Sequence, residues 1–350
     1  MARTAVVLFN LGGPDRPDAV RPFLFNLFSD PAIIAAPQPI RWLIAKLISG
    51  RRAGVARAIY AQLGGRSPLL PLTRKQAAAL EARLTADGVE ARVFVAMRYW
   101  HPFSDETARA VAAFAPERIV LLPLYPQFST TTTGSSLQDW ARAAQAAGLD
   151  APTGAVCCYP TDEGFIAALV ELTAAALIDA FRAGKPRVLF SAHGLPKRTI
   201  ARGDPYQHQV EATAAAVARK MGLSESDWVV CYQSRVGPLE WIGPSTDSEI
   251  ARAGRDGVPV VVVPIAFVSE HSETLVELDI EYRHLAQRAG VPRYVRVPAV
   301  AEHPRFIEGL ARQALAAAAA PGACRRDGGR LCPGAFGGCA FGRALDRLGA

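Results

Sequence analysis

"VLFSAHGLP" (Val188–Pro196) decides the reading of the fold, because "VLFNLGGP" (Val7–Pro14) has the same layout much earlier in the chain. Each is an apolar run without polar alternation, closed by a turn on Gly and Pro. Continuous apolar runs of this length suit parallel strands covered on both faces. Two more pairs follow in the same order. "VFVAMRYWHP" (Val93–Pro102) matches "VVCYQSRVGP" (Val229–Pro238), and "LLPLYPQFSTTTTGSSLQDW" (Leu121–Trp140) matches "VVPIAFVSEHSETLVELD" (Val262–Asp279). The repeat predicts two similar α/β halves, the second starting near residue 160.

Strands are expected at Ala5–Leu11, Val93–Met97, Ile119–Tyr125, Arg187–Ser191, Trp228–Tyr232, Val260–Ile265 and Tyr294–Val297. Ala-rich amphipathic stretches lie between them, at Leu72–Thr85, Asp105–Phe114, Gly164–Arg182, Gln209–Met221 and His303–Ala319. This alternation predicts a doubly wound α/β fold with parallel sheets flanked by helices. The expected domains are 1–158 and 159–320, with a C-terminal extension over 321–350; a chain of 350 residues is long enough for both. Ligands of such sheets sit beyond the carboxyl ends of the strands. The loops to examine are therefore Asn10–Pro14, Arg98–His101, Gln127–Ser136, Ser191–Pro196, Gln233–Gly237 and Ser269–Glu273. Two facing halves would place them around one cleft. Gly12-Gly13 lacks the G-x-G-x-x-G spacing, and Pro14 removes a backbone donor there, so a dinucleotide site is not expected.

The net charge of +7 comes from dispersed residues, with only short clusters at Arg51-Arg52 and Arg325-Arg326. No aromatic-interleaved basic patch occurs, and nucleic-acid binding is not expected. "MARTAVVLFNLGGPD" carries no cleavage pattern, and no apolar run reads as the roughly 20 residues of a spanning helix. An intracellular, non-integral protein is the expectation. "RPFLFNLFSDPAIIAAPQPIRWLIAKLISGRR" (Arg21–Arg52) crowds apolar residues around three prolines and ends in two arginines. It reads either as a buried helix pair or as an apolar lip resting on a membrane through basic anchors.

His193 ends the opening stretch. Glu270, Glu273, Glu277 and Glu281 follow one another at spacings of three, four and four, which on an α-helix is one face. Like charges at those spacings repel, so helix stability does not explain the row. It begins at a strand end and includes His271 near its start. Carboxylates and imidazole together can hold iron, copper or zinc, or accept protons. A serine hydrolase is not expected: Ser191 is only two residues from His193, and no G-x-S-x-G elbow occurs.

The series "LFNLGGP", "RYWHP", "YPQFSTTTTGSS", "FSAHGLP", "RGDPY", "QSRVGPLEWIGP" and "PIAFVSEHSETLVELDIEY" resembles the ferrochelatase family over roughly residues 4 to 310. The resemblance implies two Rossmann-like, chelatase-type domains and insertion of Fe²⁺ into a porphyrin, with loss of two pyrrole protons. Protoporphyrin IX is the expected substrate, with coproporphyrin III or another tetrapyrrole left open. The resemblance further implies that His193 is the essential histidine, partnered by Glu273 in the site for substrate Fe²⁺, with Glu270 and Glu277 continuing the acidic row. Arg98, Tyr99, Ser129, Gln233 and Trp241 match cleft-lining positions, and Phe267 is expected on the cleft wall. The porphyrin propionates are expected on Arg or Ser/Thr donors in "RGDPY" or "STTTTGSS".

Cys324, Cys332 and Cys339 crowd a Gly-rich tail. With Cys158, or alternatively Cys157, they supply the four thiolates a [2Fe–2S] cluster requires. The resemblance implies such a cluster; zinc and uncoordinated thiols stay open. Cys231, in an apolar run, reads as a buried structural thiol. The location implied is cytoplasmic, with peripheral contact to the inner membrane through residues 21–52. Oligomeric state, a homodimer included, is not set by the sequence. A non-catalytic porphyrin or haem carrier and a metal-binding regulatory protein are the alternatives from other classes.

Overall fold

The computed structural model describes residues 2–235, 237, 239–320, 322–323 and 329–341. Strands and helices alternate throughout. The first half runs β1 (Thr4–Asn10), α1 (Val20–Phe28), α2 (Gln38–Ala61), α3 (Leu69–Ala86), β2 (Ala91–Met97), α4 (Ser104–Phe114), β3 (Arg118–Pro123), α5 (Ser135–Ala146) and β4 (Thr153–Ala155). The second half runs α6 (Glu163–Ala180), β5 (Arg187–His193), α7 (Lys197–Ala201), α8 (Tyr206–Met221), β6 (Trp228–Gln233), α9 (Thr246–Asp256), β7 (Val260–Pro264), α10 (Tyr282–Arg288) and β8 (Tyr294–Arg296). α11 (Pro304–Ala319) and the short β9 (Gly322–Ala323) follow. The seven expected strands are all present. The three-residue β4 and two-residue β9 were not expected, being too short to carry an apolar pattern.

Two compact units form. One comprises Met1–Cys158, Leu310–Leu331 and Ala340–Ala350; the other comprises Tyr159–Gly309 and Cys332–Cys339. The chain passes from one unit to the other between Cys158 and Tyr159, and α11 divides between them at Gly309.

The first unit holds a parallel sheet in the order β2-β1-β3-β4-β9, with Thr4 level with Ala91 on one side and Arg118 on the other. The second holds β6-β5-β7-β8, with Val188 level with Trp228 and Val261. The first four positions correspond, so the internal repeat read from three motif pairs is a repeat of topology. Strands β1 and β7 are buried at every residue, which is why their sequences do not alternate. In both sheets the chain leaves the central strand for one neighbour and returns to the other. That reversal opens a crevice at the carboxyl ends of β1 and β3, and another at those of β5 and β7. The repeat also extends to an uncommon element. After β3 the chain enters a π-helix at Thr130–Gly134, and after β7 a longer one at Glu273–Glu281.

Close approach explains two glycines. Gly12 adopts φ +87°, and a Cβ there would lie 3.0 Å from the Trp100 nitrogen. A Cβ on Gly154 would lie 1.9 Å from the Ala317 carbonyl oxygen, so only glycine lets β4 meet α11.

One expectation needs correcting. Glu163–Ala183 is long and apolar enough to cross a membrane by length and composition. The sequence reading passed over it because scattered Ala and Thr dilute the run. Phe165, Ile166, Leu169 and Leu177 are buried, and α6 packs against α8 and β7. Nine of the 18 residues of α6 are buried, whereas Ile178 is 69% exposed. The Arg21–Arg52 stretch forms α1 and most of α2. Phe23 and Leu24 are buried, whereas Ile40, Trp42, Leu43 and Leu47 stay 45–54% exposed. Of the two readings of this stretch, the fully buried helix pair does not describe α2.

A candidate active site at the carboxyl ends of strands β5 and β7

His193 is the last residue of β5, where the sheet's crevice opens. β7 ends at Pro264, and the loop after it leads into the Glu273–Glu281 π-helix. The two ends meet: His193 Nδ1 lies 2.8 Å from Glu273 Oε2. The pair remains reachable, with 36% and 26% of the two side chains exposed. Behind it the polar groups form a continuous chain. Ser234 Oγ donates within 3.0 Å of Glu273 Oε2 and also bonds Glu277 Oε2, and the Ser234 N–H donates to Glu277 Oε1 at 2.8 Å. Gln233 Nε2 donates to Glu277 Oε2 at 3.1 Å and to the Glu273 carbonyl at 3.3 Å. Ser191 holds the other end of that amide, and the Tyr282 hydroxyl donates to Glu277 Oε1 at 3.1 Å.

The electrostatics separate the two carboxylates. Burial would raise Glu273, but the His193 charge and hydrogen bond outweigh it, and its carboxyl is lowered to about 2. Burial would likewise neutralise His193; Glu273, with Glu277 beyond it, raises its pKa above the ordinary imidazole value. Burial and the neighbouring Glu273 charge push Glu277 up. Burial lowers His271, whose ring stacks on Phe267 at 4.6 Å between centroids. The site thus holds one imidazole that favours its proton and one that does not, and one ionised carboxylate beside one that is easier to protonate. Such a set can accept and pass on protons.

Glu270 departs from the expected row. The π-helix starts only at Glu273, and Glu270 turns away to bond Arg296 Nη1 at 2.5 Å and the Ala299 N–H at 2.9 Å. Asp279 bonds the other arm of the same guanidinium. Glu281 is exposed at the helix end. Only Glu273 and Glu277 of the row belong to the His193 chain.

The six expected cleft residues divide. Trp241 pairs with Pro196 beside the His193 turn, and its indole N–H is buried with no partner among the described residues. Phe267 is half-buried against His271. Gln233 is buried and supports Glu277 from behind rather than lining a surface. In the first unit, Arg98 donates through Nε to Ser135 Oγ at 2.7 Å and pairs with Asp30 at 2.9 Å. It borders a cavity of about 230 Å³ that Asn26 and Arg142 also line. Tyr99 has no exposed surface; its hydroxyl donates to Asp30 at 2.7 Å, so it supports Arg98 from within the core. Ser129 is buried and caps the first π-helix by accepting the Thr131 N–H. The hydroxyls of Thr133, Ser135 and Ser136 are likewise inside. In "RGDPY", Asp204 accepts the Tyr206 N–H at 3.0 Å and Tyr206 is buried, whereas Arg202 is exposed.

Of the expected cysteine set, Cys324 lies outside the described residues. Cys157 and Cys158 are buried in the core of the first unit, with their Sγ atoms 3.9 Å apart. Cys332 and Cys339 belong to the second, where Cys332 Sγ accepts from Gln209 Nε2 at 3.0 Å. Among the described residues no three His, Cys, Asp or Glu side chains group closely enough to hold a metal. Cys231 is buried as expected, its thiol pushed up to about 12 by desolvation.

Ser234, Tyr282 and Arg296 escaped sequence reasoning. Ser234 stands in the quoted "QSRVGP", but a lone serine has no spacing signal. Tyr282 is five residues after Glu277, a contact visible only once the helix is known to be of the π type.

The family model described as Ferrochelatase matches residues 3–317. Ferrochelatase of Caulobacter vibrioides is 60% identical over 316 residues, covering 89% of each chain. Ferrochelatase of Phenylobacterium zucineum is 57% identical over 344 residues, 97% of this chain and 98% of its own. Among solved structures, SirB from Bacillus subtilis with Fe³⁺ superposes with a TM-score of 0.54 at 12% identity, covering 91% of this chain and 96% of that one. The cobalt complex of the sirohydrochlorin chelatase SirB from subspecies spizizenii gives 0.55 at the same identity and coverage. At that identity the likeness shows the fold alone.

Proposed function

The chain belongs to the ferrochelatase family, whose members are metal chelatases, and we propose that its reaction is the insertion of Fe²⁺ into protoporphyrin IX, the final step of haem formation. The observation that carries the reading is the half-exposed His193–Glu273 pair, backed by Glu277. Metallation must remove two pyrrole protons. With Nδ1 committed to Glu273, His193 presents Nε2 as the acceptor, and Glu273 stabilises the imidazolium that forms. A pair of ligands rather than a closed set also suits a metal that has to be handed over. Trp241 and Phe267 supply flat apolar surface next to the pair, suited to holding and bending a macrocycle.

The same site chemistry accommodates coproporphyrin III, which differs in carboxylate count and not in the pyrrole nitrogens. Peripheral membrane contact through the exposed face of α2, in a protein of the cytoplasm, is part of the reading, supported by Trp42, Leu43 and the basic residues beside them. The [2Fe–2S] cluster is supported only by the resemblance and the number of thiols in the chain.

Anaerobic Fe²⁺ insertion with each porphyrin, comparing the parent protein with His193→Ala, tests the assignment. Insertion is expected with protoporphyrin IX and a loss of at least about 100-fold in the variant. Parent-level rates in His193→Ala would overturn the mechanism. A preference for coproporphyrin III would move the substrate.

A further inference from the structure

Three guanidinium groups meet at one cavity of the second unit. β8 is the outer strand of its sheet, and a cavity of about 370 Å³ is lined from α10 by Arg283 and Gln287, and from β8 and the turn before it by Arg296 and Arg293. None of the lining residues belongs to the His193 chain, and Asp179 is the one acid among them. The cations are not held alike. Arg293 pairs with Asp179 at 2.7 Å, and Arg283 reaches the Asp279 carboxylate only at 3.4 Å. These two arginine side chains are 52% and 43% exposed, a setting in which ion pairs are weak. A guanidinium carries five N–H donors, and the bonds to Asp179, Asp279 and the Tyr294 carbonyl leave each of the two with donors to spare. Arg296 is the buried member, with 9% of its side chain exposed. Its Nη atoms hold Glu270 and Asp279, while its Nε–H is buried with no partner among the described residues. A buried donor without an acceptor is costly, and the cavity that Arg296 lines is where an acceptor can enter.

We propose that this cavity binds a small oxyanion of two or more negative charges, a polyphosphate or a polycarboxylate free in solution. Guanidinium forks match the paired oxygens of a phosphoryl or carboxylate group. A multiply charged anion outcompetes the single carboxylate of Asp179 for Arg293 and takes up the spare donors of Arg283. Gln287, exposed beside them, adds an amide donor. Glu270 and Asp279 already balance the charge of Arg296, so the two exposed arginines supply the charge that draws the ligand. Arg283 also donates to the Asp279 carbonyl at 3.0 Å, and Arg296 holds the Asp279 carboxylate. An occupant therefore shares two of its cations with the π-helix that carries Glu273 and Glu277. Binding itself does not depend on the reaction at His193.

The test is titration calorimetry of the full chain with pyrophosphate, and separately with citrate, at an ionic strength fixed with sodium chloride. Binding tighter than about 1 mM is expected for at least one of the two. Pyrophosphate alone would assign the phosphate source, and citrate alone the carboxylate source. Arg283→Gln and Arg293→Gln are each expected to weaken binding about tenfold, and the two together to abolish it. Both side chains are exposed enough for the fold to survive, which circular dichroism checks, and the single variants carry the test if the double variant does not fold. Arg288→Gln removes an exposed charge from the same helix outside the cavity, and should bind within about twofold of the parent. Failure of both anions to bind, by calorimetry and by thermal unfolding, would overturn the proposal. An equal loss in Arg288→Gln would do the same, by assigning binding to the chain's general positive charge. Undiminished binding by folded Arg283→Gln and Arg293→Gln proteins would place the anion elsewhere and overturn it as well.

Discussion

His193 and Glu273 shift each other in opposite directions, and this sets two pH dependences. The raised imidazole contributes stability fully below its unfolded value of about 6.5, and loses it as pH rises through the higher folded value. The lowered carboxyl contributes fully above its unfolded value of about 4.3, and loses it as pH falls toward about 2. The pair therefore stabilises the fold most between about pH 4.3 and 6.5. Catalysis needs the opposite state, with His193 unprotonated at Nε2. The acid limb of kcat/KM is expected above about pH 6.5. Glu273→Gln keeps the hydrogen-bonding shape and removes the charge, so it should move that limb to lower pH while kcat falls about 100-fold. A pH–rate series on both proteins checks this, and an unmoved limb would detach Glu273 from the histidine. Both residues were legible in the sequence because imidazole and carboxylate at strand ends announce chemistry by type. Ser234 was not, since its role comes from a backbone angle.

At the scale of the element, the π-helix at Glu273–Glu281 is the departure that matters. Spacings of three, four and four were read as one α-helical face, which placed Glu270 with Glu273 and Glu277. The helix instead begins at Glu273 and closes i to i+5, which brings Tyr282 to Glu277. Arg296 on β8 then ties both flanks, holding Glu270 before the helix and Asp279 within it, with 9% of its side chain exposed. It takes Glu270 out of the row and pins a helix type with poor intrinsic stability. Removing a buried charge that satisfies two others typically costs about 3–5 kcal/mol. Arg296→Met should lower unfolding free energy by about 3 kcal/mol in a urea titration and reduce activity with it. A stability change under about 0.5 kcal/mol would mean that the clamp does not hold the helix.

For the molecule as a whole, the outward face of α2 carries the one consequence that reaches beyond the chain's own fold. Ile40, Trp42, Leu43 and Leu47 stand half-exposed, with Lys46 over the Trp42 ring at 4.7 Å. Apolar side chains inserted into a lipid interface gain about 1.5–3 kcal/mol each, and cations beside them favour anionic lipid. Trp42→Ser with Leu43→Ser should weaken co-sedimentation with phosphatidylglycerol vesicles at least about tenfold, and added salt should weaken binding by the parent protein. Equal sedimentation of the two proteins would remove the membrane reading. The repeat of continuous apolar strands was enough, from the sequence alone, to determine the parallel α/β class, the pairing of the halves and the strand ends where chemistry would sit. Burial on both faces forces that pattern on the residues themselves. Which acids reach His193 was decided only in three dimensions. The His193–Glu273 pairing, the left-handed turn at Ser234 and the pull of Arg296 involve hydrogen bonds between residues 17 to 80 apart, and local spacing holds no record of them.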